Sequence, residues 1–146
     1  MSTDTMRMAY ERILEVIETS VFKEPESGWN AHLVIAHLTT NDLLLAAAVE
    51  EAGPYDNSLA VDEVHLAQLD DVVGRLRFSS NALTTLVGAM TRERAETEIP
   101  VTIIDGSTLM VDQPMAIGRL MQIHAEVHLP GHLAQLEALR HNSVPK

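Results

Sequence analysis

Three of the seven histidines in this cysteine-free chain, His124, His128 and His132, fall four residues apart. On a helix that spacing stacks the side chains in one row. Imidazoles at i and i+4 converge on a point and can chelate a divalent metal ion. With about 100° per residue and His128 at zero, Ile117, Met121, His124, His132, Gln135 and Leu139 lie within about 40° of it. Leu120 and Val127 flank the row on one side, Leu129 and Leu136 on the other, and Arg119, Glu126 and Glu137 face away. The row therefore sits within an apolar stripe, where an unpaired imidazole is costly. A second helix offers another inward histidine: Leu33, Asn41, Leu44 and Ala48 lie within about 40° of His37. A pair on one helix and a third ligand from a facing helix leave a coordination position open, as a catalytic metal needs. The alternative is an ion-free hydrogen-bond network among the imidazoles.

The remaining candidates read more plainly. His32 points about 140° from His37, and His65 and His141 are also placed on the surface. Asp62-Glu63 and Glu50-Glu51 read as solvated faces or helix-end charges, so no matching set of buried acids is expected. Asn41, one turn after His37, is the candidate to orient a ligand or touch substrate. The seven methionines read as core filler, and Ser79-Ser80 has no base in a setting that would activate a nucleophile. The lack of cysteine excludes disulfides, thiolate catalysis and cysteine zinc sites. Any metal must be held by His, Asp or Glu, and any thiol must arrive with a cofactor.

The elements that must carry these residues are mainly helical. At 146 residues, 46% hydrophobic and 21% charged, the chain fits one domain with a real core. A formal net charge of −11 is the wrong sign for sequence-independent nucleic-acid binding. The richest apolar run, Leu43 to Val49, is short of a membrane span, and the N-terminus has no signal-peptide pattern. A cytoplasmic location is expected. A first helix spans about Thr3 to Thr19, with Met6, Ala9, Ile13, Val16 and Ile17 inward. A second is capped by Asn30, with Trp29 able to pack on Val34, and runs to about Ala52 before Gly53-Pro54. Tyr55 to Ala60 reads as a loop, Val61 to Leu69 as a short helix, and Asp70 to Thr91 as a third long one. Glu98 to Ile104 and Ser107 to Val111 flank Asp105-Gly106 as a hairpin. Asp112-Gln113-Pro114 opens a fourth long helix ending near His141-Asn142, with a kink expected at Pro130. The expected fold is an all-α, antiparallel four-helix bundle with a small hairpin before the last helix.

Trp29-x7-His37-Leu38 and His128-x3-His132-x2-Gln135-Leu136, in this order of elements, resemble the DinB/YfiT-like superfamily. Its actinobacterial branch includes the metal-binding domain of mycothiol-dependent maleylpyruvate isomerase. The resemblance covers nearly the whole chain and implies a DinB-type bundle, often a homodimer, holding a divalent ion (zinc or nickel) on three histidines. Carried over by position, the ligands are His37, His128 and His132. His124 matches an upstream histidine that supports the ligands, and Gln135 matches the Gln or His that follows the pair. The resemblance also implies a thiol-dependent (mycothiol-type) transferase or isomerase acting on a small molecule, with a low-molecular-weight thiol as cofactor. A non-catalytic bundle with a structural ion is the other reading, and no nucleic-acid or membrane partner is expected.

Overall fold

Apolar residues three and four apart give the first helix its inner face. In the computed structural model, which describes residues 2–59 and 63–141, α1 spans Asp4–Thr19 and buries Met6, Tyr10, Ile13, Val16 and Ile17. Helix α2 spans Ala31–Glu51. It starts where Asn30 Oδ1 accepts a hydrogen bond from Leu33 N–H at 2.9 Å, an N-cap that satisfies an orphan donor. It ends at Ala52, whose left-handed backbone (φ 52°) turns the chain, a conformation that costs a non-glycine residue about 1–2 kcal/mol. Pro54 then cannot continue the helix. The apolar stretch of α2 reaches a mean hydropathy of 1.4, enough by composition to cross a membrane, yet 56% of it is buried in the fold. Its buried face carries Asn41 and Asp42, so here it serves as a core helix.

One expectation for the middle of the chain is corrected. Tyr55–Asp56 is a short strand, β1, rather than loop. It pairs in parallel with Val101 and Thr102, and burial of the Tyr55 ring holds it there. A 3-10 turn follows at Asn57–Leu59, and α3 covers Glu63–Ala67. Residues 60–62, including the expected start of that helix, lie outside the described residues. The long helix expected over Asp70 to Thr91 is α4, Val72–Gly88, and a short helix not expected from the sequence, α5, Arg92–Glu96, follows it. The break comes because Thr91 adopts an extended backbone and its hydroxyl accepts from Arg94 N–H at 3.1 Å, which caps a new helix.

The hairpin forms, one residue out of the expected register. Strand β2 is Glu98–Asp105 and β3 is Thr108–Ala116, so Gly106 and Ser107 make the turn, with Gly106 at φ 62°. A bulge leaves Met110 unpaired between Val111, opposite Ile103, and Leu109, opposite Ile104. Asp112-Gln113-Pro114 therefore does not open the last helix. Those residues continue β3, where Pro114 stands opposite Pro100. The strand order β1-β2-β3 makes β3 an edge strand, where a missing N–H is tolerated. The chain is thus mostly helical, as expected, and the expected hairpin is part of a three-stranded sheet completed by β1.

The last helical stretch begins with α6, Ile117–Ile123, passes through a π turn at His124–His128, and continues as α7, Leu129–Ala138. Helix α1 packs on α4, α7 and the π turn, and α2 packs on α3, α4, α6 and α7. Ile13, Ile35, Leu38, Leu76, Leu83, Met121 and Leu136 fill the space between them.

Candidate metal centre

Pro130 explains the shape of the last helix. It has no N–H to offer the carbonyl one turn back. The Leu129 N–H instead reaches back five residues to the His124 carbonyl, and the turn opens from α to π. The disturbance expected at Pro130 thus takes the form of a π turn just before it, a feature common at functional sites. It also divides the histidine row. His124 is buried, while His128 and His132 are only half-buried. Val127, placed beside the row by helical spacing, is 65% exposed, because the extra residue in the turn carries it outward.

His37, from α2, and His128 and His132, from the last helix, each present a ring nitrogen within 4.8 Å of the other two. The opposite ring nitrogens are engaged elsewhere. His37 Nδ1–H donates to Glu63 Oε1 at 2.8 Å. His132 Nδ1–H donates to Gln135 Oε1 at 2.9 Å. Each of these fixes the tautomer whose lone pair is on Nε2.

The tautomer of His128 is set by a longer chain of bonds. Asp42, with no exposed surface, receives the Ser79 hydroxyl on Oδ2 at 2.7 Å and the Tyr10 hydroxyl on Oδ1. Having given its only proton, the Tyr10 oxygen accepts from His124 Nε2–H at 2.7 Å. A neutral imidazole has one N–H, so His124 Nδ1 is an acceptor. It takes the proton of His128 Nδ1, 3.0 Å away. Asn41 Nδ2 lies 3.4 Å from the same nitrogen. Because the Tyr55 hydroxyl donates to Asn41 Oδ1, that Nδ2 is also a donor, so with the proton on His128 Nδ1 the contact is not a hydrogen bond. His128 is left with its lone pair on Nε2.

That nitrogen lies 3.0 Å from Nε2 of His132. Both carry lone pairs, so no proton joins them, and their approach is favourable with a cation between. The separation also fits two neighbouring ligands at the usual zinc–nitrogen length of about 2.0–2.1 Å, which stand roughly 2.9–3.4 Å apart. The three residues therefore could hold a divalent ion.

Burial favours the neutral form of His124, His128 and His132, the form a metal ligand requires. Burial pushes His128 down to about 2, helped by the neighbouring histidines, and His124 down to about 3 for the same reasons. Burial and the nearby His37 also lower His132. Burial raises Asp42 to about 7 against the pull of the Tyr10 and Ser79 hydroxyls, and both burial and Asp42 raise Tyr10.

All six residues selected from the sequence meet at this place: His37, His128, His132, His124, Asn41 and Gln135. His32, His65 and His141 are exposed. Two readings of acidic residues are corrected. Glu63 is not a solvated charge; its carboxylate also lies 3.2 Å from the Thr40 hydroxyl while it holds His37. A buried acid does serve the site, since Asp42 is in the hydrogen-bonded chain behind His128. Its position one turn after Leu38 and three residues before Leu45 is a signal that could have placed it inward. Tyr10 lay on the inner face of α1 between Met6 and Ile13, and a buried phenol needs a partner. Trp29 packs its ring 4.8 Å from His37 and stacks nearly parallel to His132 at 6.3 Å, so it walls the site. Nor are all methionines core filler: Met8 and Met110 are 67% and 60% exposed.

The three imidazoles open onto a cavity of about 1030 Å³ between the helices and the hairpin. No family model, curated protein or solved structure matches the chain.

Proposed function

We propose that the chain is a metal-dependent enzyme of DinB/YfiT-like type, a helical bundle in which His37, His128 and His132 hold a divalent ion, zinc or nickel. The observation that carries this reading is the 3.0 Å approach of two lone-pair nitrogens, His128 Nε2 and His132 Nε2, each fixed by a partner on its other ring nitrogen. An ion there supplies Lewis acidity, polarising a carbonyl or lowering the pKa of a thiol or water. Glu63, Gln135 and the Asp42–Tyr10–His124 chain orient the imidazoles. Trp29 and residues of the hairpin line the cavity beside these imidazoles. The adjoining cavity supports a catalytic over a purely structural ion, because a substrate can reach the three nitrogens from it.

The resemblance adds a finer expectation, thiol-dependent transfer or isomerisation with a low-molecular-weight thiol. The test compares chelator-stripped protein with protein reloaded with zinc or nickel, supplying mycothiol and a small electrophile. Metal-dependent consumption of the thiol, lost in His132→Ala, is the expected result. Equal rates in stripped and reloaded protein would overturn the enzymatic reading.

A further inference from the structure

The cavity beside the three imidazoles is unequal in its two walls. One is polar and carries the histidines. The hairpin side is apolar, with Ile103, Met110 and Val111, and Leu120, Ile123 and Val127 of the last helical stretch add apolar lining beside the histidines. The bulge in β3 leaves Met110 out of the ladder, and its side chain lines the cavity while 60% exposed.

The charged residues lining this cavity, among the described residues, are acidic apart from the histidines: Glu63 and Asp105, with neither Lys nor Arg. Most of the uncharged polar groups are already engaged within the protein. Asn57 bonds both backbone groups of Ile104, at 2.9 and 2.8 Å. The Ser58 hydroxyl donates to Asp56 at 2.6 Å and the Tyr55 hydroxyl to Asn41. A second carboxylate or a phosphate would meet acidic and apolar surface with no cation to pair it, which is costly. A polyol would find few free partners. The cavity of about 1030 Å³ nevertheless has room for a drug-sized molecule.

We infer that the site takes a single-headed apolar molecule. One donor group faces the three imidazoles and an uncharged hydrocarbon or aromatic body lies against the hairpin wall. This rests on the metal-site reading alone and argues against the sugar-thiol expectation: the occupant is set apart from dicarboxylates, phosphate esters and sugars, sugar thiols included.

Three hydroxamic acids with the same metal-binding head test it on the full chain. Nickel is first titrated into stripped protein while the fluorescence of Trp29 is followed. Acetohydroxamic, octanohydroxamic and succinic monohydroxamic acid are then titrated into the nickel-loaded protein by calorimetry. Six more methylene groups, each able to contribute about fourfold when fully buried, make octanohydroxamate on the order of 100-fold tighter than acetohydroxamate with partial burial. The succinic compound is expected to bind no better than the acetyl one. Met110→Arg, a change at an exposed position away from the histidines, is expected to strengthen the succinic compound about tenfold and weaken the octanoyl one. Octanoyl and acetyl affinities within threefold (roughly) of each other, or a succinic compound about tenfold tighter than the acetyl one, would overturn the inference alone. No nickel response before any hydroxamate is added would overturn the metal reading and the inference with it.

Discussion

Replacing Tyr10 by Phe removes one oxygen from the centre of the chain that ends at His128. In the native protein that oxygen donates to Asp42 and accepts from His124. Without it, His124 Nε2–H faces Asp42 Oδ1 across 3.8 Å, too far for a hydrogen bond, and Asp42 keeps only Ser79. An unsatisfied buried donor or acceptor costs about 1–3 kcal/mol. Two such groups lower the unfolding free energy by roughly 2–6 kcal/mol, a large share of the 5–15 kcal/mol typical of a folded domain. The effect on metal is separate. His124 is no longer held to accept the His128 Nδ1–H, and losing such an outer partner weakens metal binding about 10–100-fold, or about 1.4–2.7 kcal/mol. Trp29 is the sole tryptophan and packs 4.8 Å from His37, so its fluorescence reports occupancy by a quenching ion such as nickel. Asp42→Asn, which keeps an oxygen to accept from Tyr10, is expected to lose less affinity. A Tyr10→Phe protein that melts cooperatively yet binds nickel within about twofold of the native value would refute the role given to this chain.

Other outcomes follow from the same geometry. Glu63→Leu takes away the acceptor that fixes His37 and is expected to weaken nickel binding roughly tenfold or more, with little change in the melting temperature at neutral pH. Metal-free protein should lose stability in acid. His124 and His128, held at about 3 and about 2, and His132, also lowered, exclude protons that the unfolded chain binds below about pH 6.5. Their contribution is complete above that pH and is lost as pH falls toward the folded values. Asp42, raised to about 7, works in the opposite direction by taking up a proton in the fold, but it is one group against three. Urea midpoints from pH 7 to 4 measure the balance, and a midpoint that rises on acidification would contradict it. Leu136→Ala, at a fully buried position between helices, is expected to cost about 2–5 kcal/mol in urea unfolding.

The parts of the fold legible in the sequence were those governed by short-range rules. The Asn30 cap, the inner face of α1 and the presence of a hairpin all follow from spacing and local chemistry. The hairpin register and the continuation of β3 through Pro114 did not, because edge position and a bulge are set by pairing with β2. Helix spacing brought out the six residues that meet at the site, since all lie on inner faces. It could not show that Asp42 and Tyr10, from different helices, join behind His124. Glu63 was read as a solvated charge because a short charged segment carries no periodic signal, and its partner His37 is 26 residues away in the chain. The π turn was foreshadowed by Pro130 alone, whose missing donor can be met by a kink as well as by a wider turn.

The most direct test of the metal centre is the metal content of the protein purified without an affinity tag, measured by mass spectrometry for the native chain and for His128→Ala. The expected result is close to one divalent ion per native chain and near-background metal in the variant. Metal well below one equivalent in both, after both are shown to be folded, would contradict the assignment of His37, His128 and His132 as a metal site.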